Sequence, residues 1–421
     1  MKNETIINLR YFAVAFGANT ASSFVGVFGV LLGASAFEMG LLQALSNAIS
    51  NASQIFWGRL SDRYGLRRPW LVGASVVMAG LWLAMGFVEG PYQLILLYSS
   101  IALTSSVISV NWFSLLADLT SSGSRGSFLA RLQNISSFGN LASLLLMAFI
   151  LHGDSRSQLI IPFSLGSAAY VASAVLLSRI VEVKKESRLS GSFVKGVREA
   201  RANSAFFRYM TSMLAQGFFW SMAWPIFPIT VVAVRGFDLP EVSALTAMNI
   251  FAAVAVQRYL GRLADRFNRV PLIFLNRLML GAIPLMYAFF FNFDEFLVME
   301  AYSGVASALQ NVVMNSYLMD LLPEGKRAEY VSIMNGFNGI VYLFGSLAGG
   351  FLLQYLEGTM PLARAVSLSL TLISAGRFAT SFLFLRLKEP ENRGRRGIPI
   401  FSVLLRLVRP GLPSGSSVRE R

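Results

Sequence analysis

The stretch from Gly58 to Pro69, GRLSDRYGLRRP, returns about 200 residues later as GRLADRFNRVP from Gly261 to Pro271. A second pair, DLTSSGSRGSF from Asp118 to Phe128 and DLLPEGKRAEY from Asp320 to Tyr330, recurs in the same order at the same offset to within one residue. Both pairs lie between long apolar runs, so the chain is a tandem duplication. Duplicated, apolar, helix-patterned chains point to transporters built from structural repeats, with the substrate path between the halves.

Composition places those runs in a bilayer. Of 421 residues, 54% are hydrophobic and only 14% charged, and the mean hydropathy is +0.56, too apolar for a pair of soluble domains. A span needs about 20 mostly apolar residues. Twelve are expected, at roughly 7–32, 37–58, 69–88, 92–117, 128–151, 158–180, 206–233, 240–261, 270–291, 295–320, 328–356 and 362–386. The runs are continuous rather than alternating, which indicates an all-α integral membrane fold and not a barrel. The first run is of full span length without a small-residue cleavage site, so it is expected to stay in the protein.

A net charge of +14 suggests nucleic acid in a soluble protein, but its distribution assigns it to topology. Alternate loops hold 31 of the 36 Lys and Arg, and the opposite loops hold Arg156, Arg235 and Arg364. That asymmetry predicts a multi-pass plasma-membrane protein with both termini in the cytoplasm and no nucleic-acid partner. The basic tail, with Arg393, Arg395, Arg396, Arg406 and Arg409, can contact anionic lipid headgroups. The chain has no cysteine and a single histidine, His152 in an outer loop. Thiolate or histidine metal sites, cysteine nucleophiles and Ser/His/Asp triads are thereby excluded, and no metal or cofactor is expected.

The expected organisation is an N-terminal six-helix bundle over 1–180, a cytoplasmic connector over 181–205, a C-terminal six-helix bundle over 206–388 and a basic, disordered tail over 389–421. Within the connector, 195–208 reads either as a surface amphipathic helix or as a flexible linker.

The repeated loops carry a resemblance. Gly58, Asp62, Arg63, Gly65, Arg67 and Arg68 match the loop signature of the major facilitator superfamily between spans 2 and 3, G-x-x-x-D-R-x-G-x-R-R. Gly261, Asp265 and Arg266 occupy the equivalent place between spans 8 and 9, with Asn268 standing where the first copy has Gly65. Asn tolerates a left-handed backbone better than most residues, which keeps a tight turn open there. Asp118 with Arg125, and Asp320 with Arg327, resemble the family's loops between spans 4 and 5 and between 10 and 11. The resemblance implies two pseudo-symmetric six-helix bundles, acting as a monomer, whose loops gate the cycle. In that scheme Asp62 faces the start of span 11 near Ala328, and Asp265 the start of span 5 near Ser127.

It also implies that spans 1, 4, 7 and 10 line the substrate cavity. Span 10 carries Ser307, Gln310 and Asn311; span 7 carries Gln216, Trp220 and Trp224; span 1 offers Asn19 and Ser23, and span 4 Asn111 and Trp112. Mid-span polar groups need a reason, which is either solute contact or helix packing. Glu300 in span 10 is the one candidate for coupling to a proton, while Arg277 and Arg377 read as snorkelling or interhelical residues. Span 5 lacks the Gly-rich, Gly-Pro signature of the family's antiporters, and span 11 holds a partial form of it, Gly336, Gly345, Gly349 and Gly350, again without proline.

These readings converge on a secondary transporter of a small solute working by alternating access, either exporting a hydrophobic or neutral compound or taking up a sugar or metabolite. No phosphate-binding GxxxxGK[ST] loop argues for ATP drive. A membrane-embedded lipid-modifying enzyme or a sensor is the alternative from another class, and the scarcity of clustered His, Asp and Glu disfavours the enzyme.

Overall fold

The computed structural model describes residues 3–64, 66–119, 125–153, 156–182, 193–322 and 327–389; side chains at 55, 58–59, 61–64, 117–119, 125–127, 130, 193–196 and 327–328 also lie outside the description. The expected tail from 390 onward and Gly65 fall outside it. The side chains of Gly58, Asp62, Arg63, Asp118, Arg125 and Arg327 do too.

The described chain is built of helices. The first half contains α1 (Asn3–Leu31), α2 (Ala36–Tyr64), α3 (Arg68–Met85), α4 (Pro91–Leu119), α5 (Arg125–Ile150) and α6 (Ile160–Ser178). The second contains α7 (Ser204–Val234), α8 (Leu239–Arg266), α9 (Arg269–Phe289), α10 (Phe293–Leu321), α11 (Arg327–Glu357) and α12 (Leu362–Ser381). Among the described residues, ten helices are long and apolar enough to cross a membrane. The two long helices outside that set are α2 and α10, whose 29 residues each carry rows of Asn, Gln and Ser. Between the halves, a short helix spans Phe193–Ala202 within the connector.

Large apolar side chains point outward all around the bundle, including Val76, Leu96, Phe149, Val298 and Phe351. A soluble monomer does not carry such a continuous apolar surface; a bilayer solvates it.

The duplication is written into the helix ends. Gly33 after α1 and Gly236 after α7 both adopt positive φ, 76° and 70°, a region that favours glycine. Each is followed by a capping box. In the first, the Ser35 N–H donates to Glu38 and the Glu38 N–H to Ser35 Oγ. In the second, Asp238 and Glu241 exchange the same pair of bonds. Such boxes satisfy N-terminal amides that a helix otherwise leaves open.

At the other end, Glu182 accepts the Arg67 and Arg68 backbone N–H groups at 2.7 and 2.8 Å. Glu389 accepts those of Arg269 and Val270 at 2.5 and 2.9 Å. A carboxylate thus seats on the N-terminus of the third helix of each half, where the helix dipole favours it. Arg68 also donates from its guanidinium to the Ser178 carbonyl.

The second copy of the repeated loop differs from expectation at Asn268. Asn268 has φ −57° and ψ 140°, ordinary extended backbone, so no left-handed turn replaces the missing glycine. Gly261 lies inside α8 with open space beside it, so it makes no close helix approach.

The halves meet along α2 with α11 and α5 with α8. Gly40 faces Gly350 backbone to backbone, and Gly339 packs on Asn51. Gly345 and Gly349 of α11 lie so close to the α7 backbone that a Cβ would overlap the carbonyls of Phe218 and Met222. The glycines of α11 therefore work as packing surfaces. Away from the face on which α1 begins, Phe37 N–H approaches Gln354 Oε1 at 3.4 Å, the Leu239 N–H donates to the Gly153 carbonyl at 3.1 Å, and Gly26 packs on Pro228. These contacts tie the halves together on that side.

The two carboxylate caps are testable. Glu182→Ala and Glu389→Ala each remove the acceptor of two helix-terminal amides, a loss of about 0.5–2 kcal/mol. Each variant should melt several degrees below the parent in detergent, with the double variant lowest; unchanged melting temperatures would show that the caps carry no stability.

Candidate functional site

Two chambers lie within the bundle and meet at Asn19. The first, about 530 Å³, is bounded by α1, α2, α3, α4, α6 and α7. Its polar wall is Gln43, Ser46, Asn47 and Ser50 of α2, and its aromatic wall is Trp82, Tyr98, Trp224 and Phe227. The second, about 540 Å³, lies nearer the face on which α1 begins. There α5 contributes Gln133, Ser136, Ser137 and Asn140, α8 contributes Asn249 and Gln257, and α10 contributes Ser307, Asn311 and Asn315. With Asn19, the second chamber presents seven carboxamides, and among the described residues neither chamber is lined by a Lys, Arg, Asp, Glu or His.

Helix breaks shape this path. In α1 a π-helical turn spans Ala15–Asn19, and the helix is interrupted again at Phe24, with φ −92° and ψ −7°. π-Turns recur at functional sites because the inserted residue re-aims its neighbours, and here the turn ends at Asn19. In α7 the helix stops at Met222 and restarts at Ile226. Pro225 has no N–H, so it cannot bond the Ser221 carbonyl. That carbonyl takes the Trp224 N–H at 3.2 Å and Ser346 Oγ at 3.3 Å. The break carries Trp224 and Phe227 into the first chamber.

The carbonyls left over meet one guanidinium. Arg377 of α12 donates Nε to Phe219 O at 3.2 Å and Nη2 to Trp220 O at 2.9 Å, both just before the α7 break. Its Nη1 donates to Leu280 O at 3.0 Å. Leu280 sits one turn before Pro284 inside α9, so that carbonyl also lacks its helical donor. The neighbouring Gly281 carbonyl takes Ser374 Oγ at 2.6 Å. Arg377 therefore bridges two proline-interrupted helices, with the Trp220 ring 4.9 Å from its guanidinium carbon.

Glu300 is partly exposed and lines neither chamber. It accepts Asn249 Nδ2 at 2.8 Å and Tyr287 Oη at 2.8 Å, and among the described residues it forms no ion pair. Asn249 also lines the second chamber. The Tyr287 ring lies 4.3 Å from that of Phe227, which lines the first.

Of the residues expected at the cavity, Asn19, Trp224, Ser307 and Asn311 line the chambers. The others sit elsewhere. Ser23 donates to the Asn19 carbonyl, Asn111 is buried and donates to Val107 of its own helix, and Trp112 is buried beneath Arg10, 3.8 Å away. Gln216 accepts Thr380 Oγ1 at 2.8 Å, Trp220 supports Arg377, and Gln310 lines neither chamber. Arg277 and Arg377 are each only 2% exposed, so neither snorkels; Arg277 lies over the Phe384 ring at 5.2 Å.

Among the loop residues, Asp265 and Arg266 are exposed at the end of α8. Asp320 pairs with Arg269 at 2.7 Å.

Several contributors were missed. Gln43, Ser46, Asn47 and Ser50, and then Gln133, Ser136, Ser137 and Asn140, share one i, i+3, i+4, i+7 spacing, which puts each row on a single helix face. Both rows, and Asn249 and Gln257, lie outside spans 1, 4, 7 and 10, to which the family resemblance confined the expected cavity. Arg10 also went unnoticed: it is 4% exposed within α1 and donates to Ser173 Oγ at 2.9 Å.

The family model described as Major Facilitator Superfamily matches residues 8–220 and 209–411. The chain belongs to the Major Facilitator Superfamily. It is a multi-pass membrane transporter. A multidrug resistance protein MdtH of Aeromonas hydrophila is 22% identical over 323 residues, covering 76% of this chain and 78% of that one. An uncharacterized MFS-type transporter of Methanocaldococcus jannaschii is 26% identical over 151 residues, 36% of this chain and 38% of its own. Among solved structures, the nucleoside transporter NupG superposes with a TM-score of 0.68 at 11% identity, over 92% of this chain and 99% of that one. A bacterial homolog of the human lysosomal transporter Spinster, inward-facing and occupied, gives 0.69 at 13% identity, over 94% and 98%. At such identities the likeness is one of fold.

The Arg377 bridge generates a prediction for this superfamily member. Hydrogen bonds to a charged group contribute about 1.5–3 kcal/mol each, and a lysine ammonium lacks the planar fork that reaches three carbonyls. Arg377→Lys should lower the melting temperature markedly and cut transport at least tenfold, with Arg377→Gln worse in both. Normal flux in the lysine variant would show that the bridge does not hold the α7 break.

Proposed function

We propose that this protein is a secondary transporter that moves a small solute by alternating access of its two six-helix halves, as a monomer in the plasma membrane. The observation that carries the reading is the pair of chambers meeting at Asn19 between the halves, lined by both and reached through helices broken at Phe24 and Pro225. In this reading α2 and α10 are the eleventh and twelfth spans, polar because they line the path. The halves comprise 1–180 and 206–388, and the face on which α1 begins is cytoplasmic, as the loop charges require. The contacts on the opposite face then correspond to a state closed to the outside. The repeated loops gate the cycle on the cytoplasmic side. Relatives named as multidrug resistance proteins fit export of a hydrophobic or neutral compound, and the same architecture serves uptake of a sugar or metabolite.

Glu300 is the coupling group in this reading. A half-buried carboxylate within a membrane bundle that forms no ion pair among the described residues is costly as an anion; of its two donors, Asn249 lines the second chamber and Tyr287 packs on Phe227, which lines the first. Glu300→Gln should abolish solute accumulation driven by a pH gradient in proteoliposomes while retaining exchange of solute across the membrane. Concentrative uptake by the variant would place coupling elsewhere.

Orientation is checked separately: a periplasm-active reporter inserted after Gly153 should be active, and one at Gly65 silent. The reverse result would invert the topology.

A further inference from the structure

We infer that the transported solute is neutral, carries several hydroxyl or amide groups that both donate and accept hydrogen bonds, and has one flat apolar face, as pyranoses and nucleosides do. The inference rests on the transport reading and narrows it to a solute class.

The second chamber carries it. Its seven carboxamides each carry a carbonyl acceptor and two N–H donors, of which one Asn249 N–H is given to Glu300 and the Asn140 carbonyl accepts Thr20 Oγ1, and its three serines carry a hydroxyl that does both. A wall that donates and accepts in equal measure complements hydroxyls and amides. It gives no formal countercharge to an ion. Moving an ion out of water into a low-dielectric site costs several kcal/mol even after relaxation, and among the described residues no charged side chain lines either chamber to offset that. Glu300, which accepts from Asn249 of this wall, is also engaged by Tyr287 and lines neither chamber. A wholly apolar solute fails for the opposite reason. It would strip water from the carboxamides and leave them unpaired, at about 1–3 kcal/mol for each group stranded.

The first chamber supplies the remaining feature. Trp82, Tyr98, Trp224 and Phe227 give it aromatic faces opposite the Gln43-to-Ser50 row, so a ring can stack on one side and hydrogen-bond on the other. Each chamber, at about 530 and 540 Å³, is within the range of small-molecule sites, about 300–1,000 Å³.

The test uses the full-length protein in proteoliposomes. These are incubated with a water-soluble metabolite extract supplemented with glucose, uridine, glucose 6-phosphate and tetraphenylphosphonium, and the contents are compared by mass spectrometry with protein-free vesicles. Accumulation of neutral, hydroxyl-rich solutes without the phosphate or the phosphonium supports the inference. Accumulation of the phosphonium or of an anion overturns the solute class and leaves the transport reading standing. No accumulation of any solute overturns both. For a solute that accumulates, Asn311→Ala should weaken binding at least tenfold and Asn111→Ala, which lines neither chamber, should leave it within twofold. Equal effects of the two would remove the carboxamide wall from recognition.

Discussion

Inside a membrane an unpaired backbone carbonyl has no water to turn to, and this constraint organises the molecule around Arg377. A path between rigid helices needs breaks, and the breaks here at Pro225 and Pro284 release acceptors that the regular helix would have satisfied. Serine hydroxyls handle single carbonyls, as Ser346 does at Ser221 and Ser374 does at Gly281. Three carbonyls from two helices converge on one point, and only a planar guanidinium presents enough donors in fixed directions to meet them. The cation also lies against the negative ends of carbonyl dipoles and the face of Trp220, which offsets its removal from water without a carboxylate. The position of Trp224 and Phe227 in the first chamber follows from that arrangement.

The duplicated devices are the ones that finish helices: a positive-φ glycine, a capping box and a carboxylate on the third helix of each half. Finishing a helix is a local problem with the same solution in both copies. The chemistry within the bundle has diverged instead. The first half buries Arg10 against Ser173 and Trp112, whereas the second buries Arg277 and Arg377 and holds Glu300 half-buried between Asn249 and Tyr287. The halves also meet unequally. Between α2 and α11, glycines bring backbones into contact; between α5 and α8, polar rows face a chamber.

What was legible in the sequence follows the same division. Span positions, the duplication and the family could be read because each rests on long apolar runs or on loop motifs of a dozen residues. The capping boxes were equally readable, since Gly33-Ala-Ser35 with Glu38 and Gly236-Phe-Asp238 with Glu241 recur in register, but the search stopped at the longer loops. Trp112 and Trp220 could not be placed from their spacing. A tryptophan beneath a buried arginine and one facing a solute occupy the same stripe of a helix, and only the neighbouring helix distinguishes them. Gln216 shows the same ambiguity, resolved by Thr380 from α12. The Glu182 and Glu389 caps are long-range partners of backbone amides, which leave no periodic trace.

Glu300 joins the two chambers without lining either. Its two hydrogen bonds come from different helices, Asn249 on α8 and Tyr287 on α9. One donor is part of the carboxamide wall, and the other stacks on the aromatic ring that α7 brings to the first chamber. A carboxylate accepts both bonds, whereas a carboxylic acid must donate with one oxygen and can keep only part of that pattern. Any change in its protonation would therefore be felt by an amide that lines the second chamber and by a ring next to the α7 break. A ligand shifts a two-state equilibrium only by its differential interaction with the two states. If Glu300 is the coupling group, as proposed, the side-chain pair Asn249 and Tyr287 would supply such a difference to solute and proton alike, which is the physical requirement for one to drive the other.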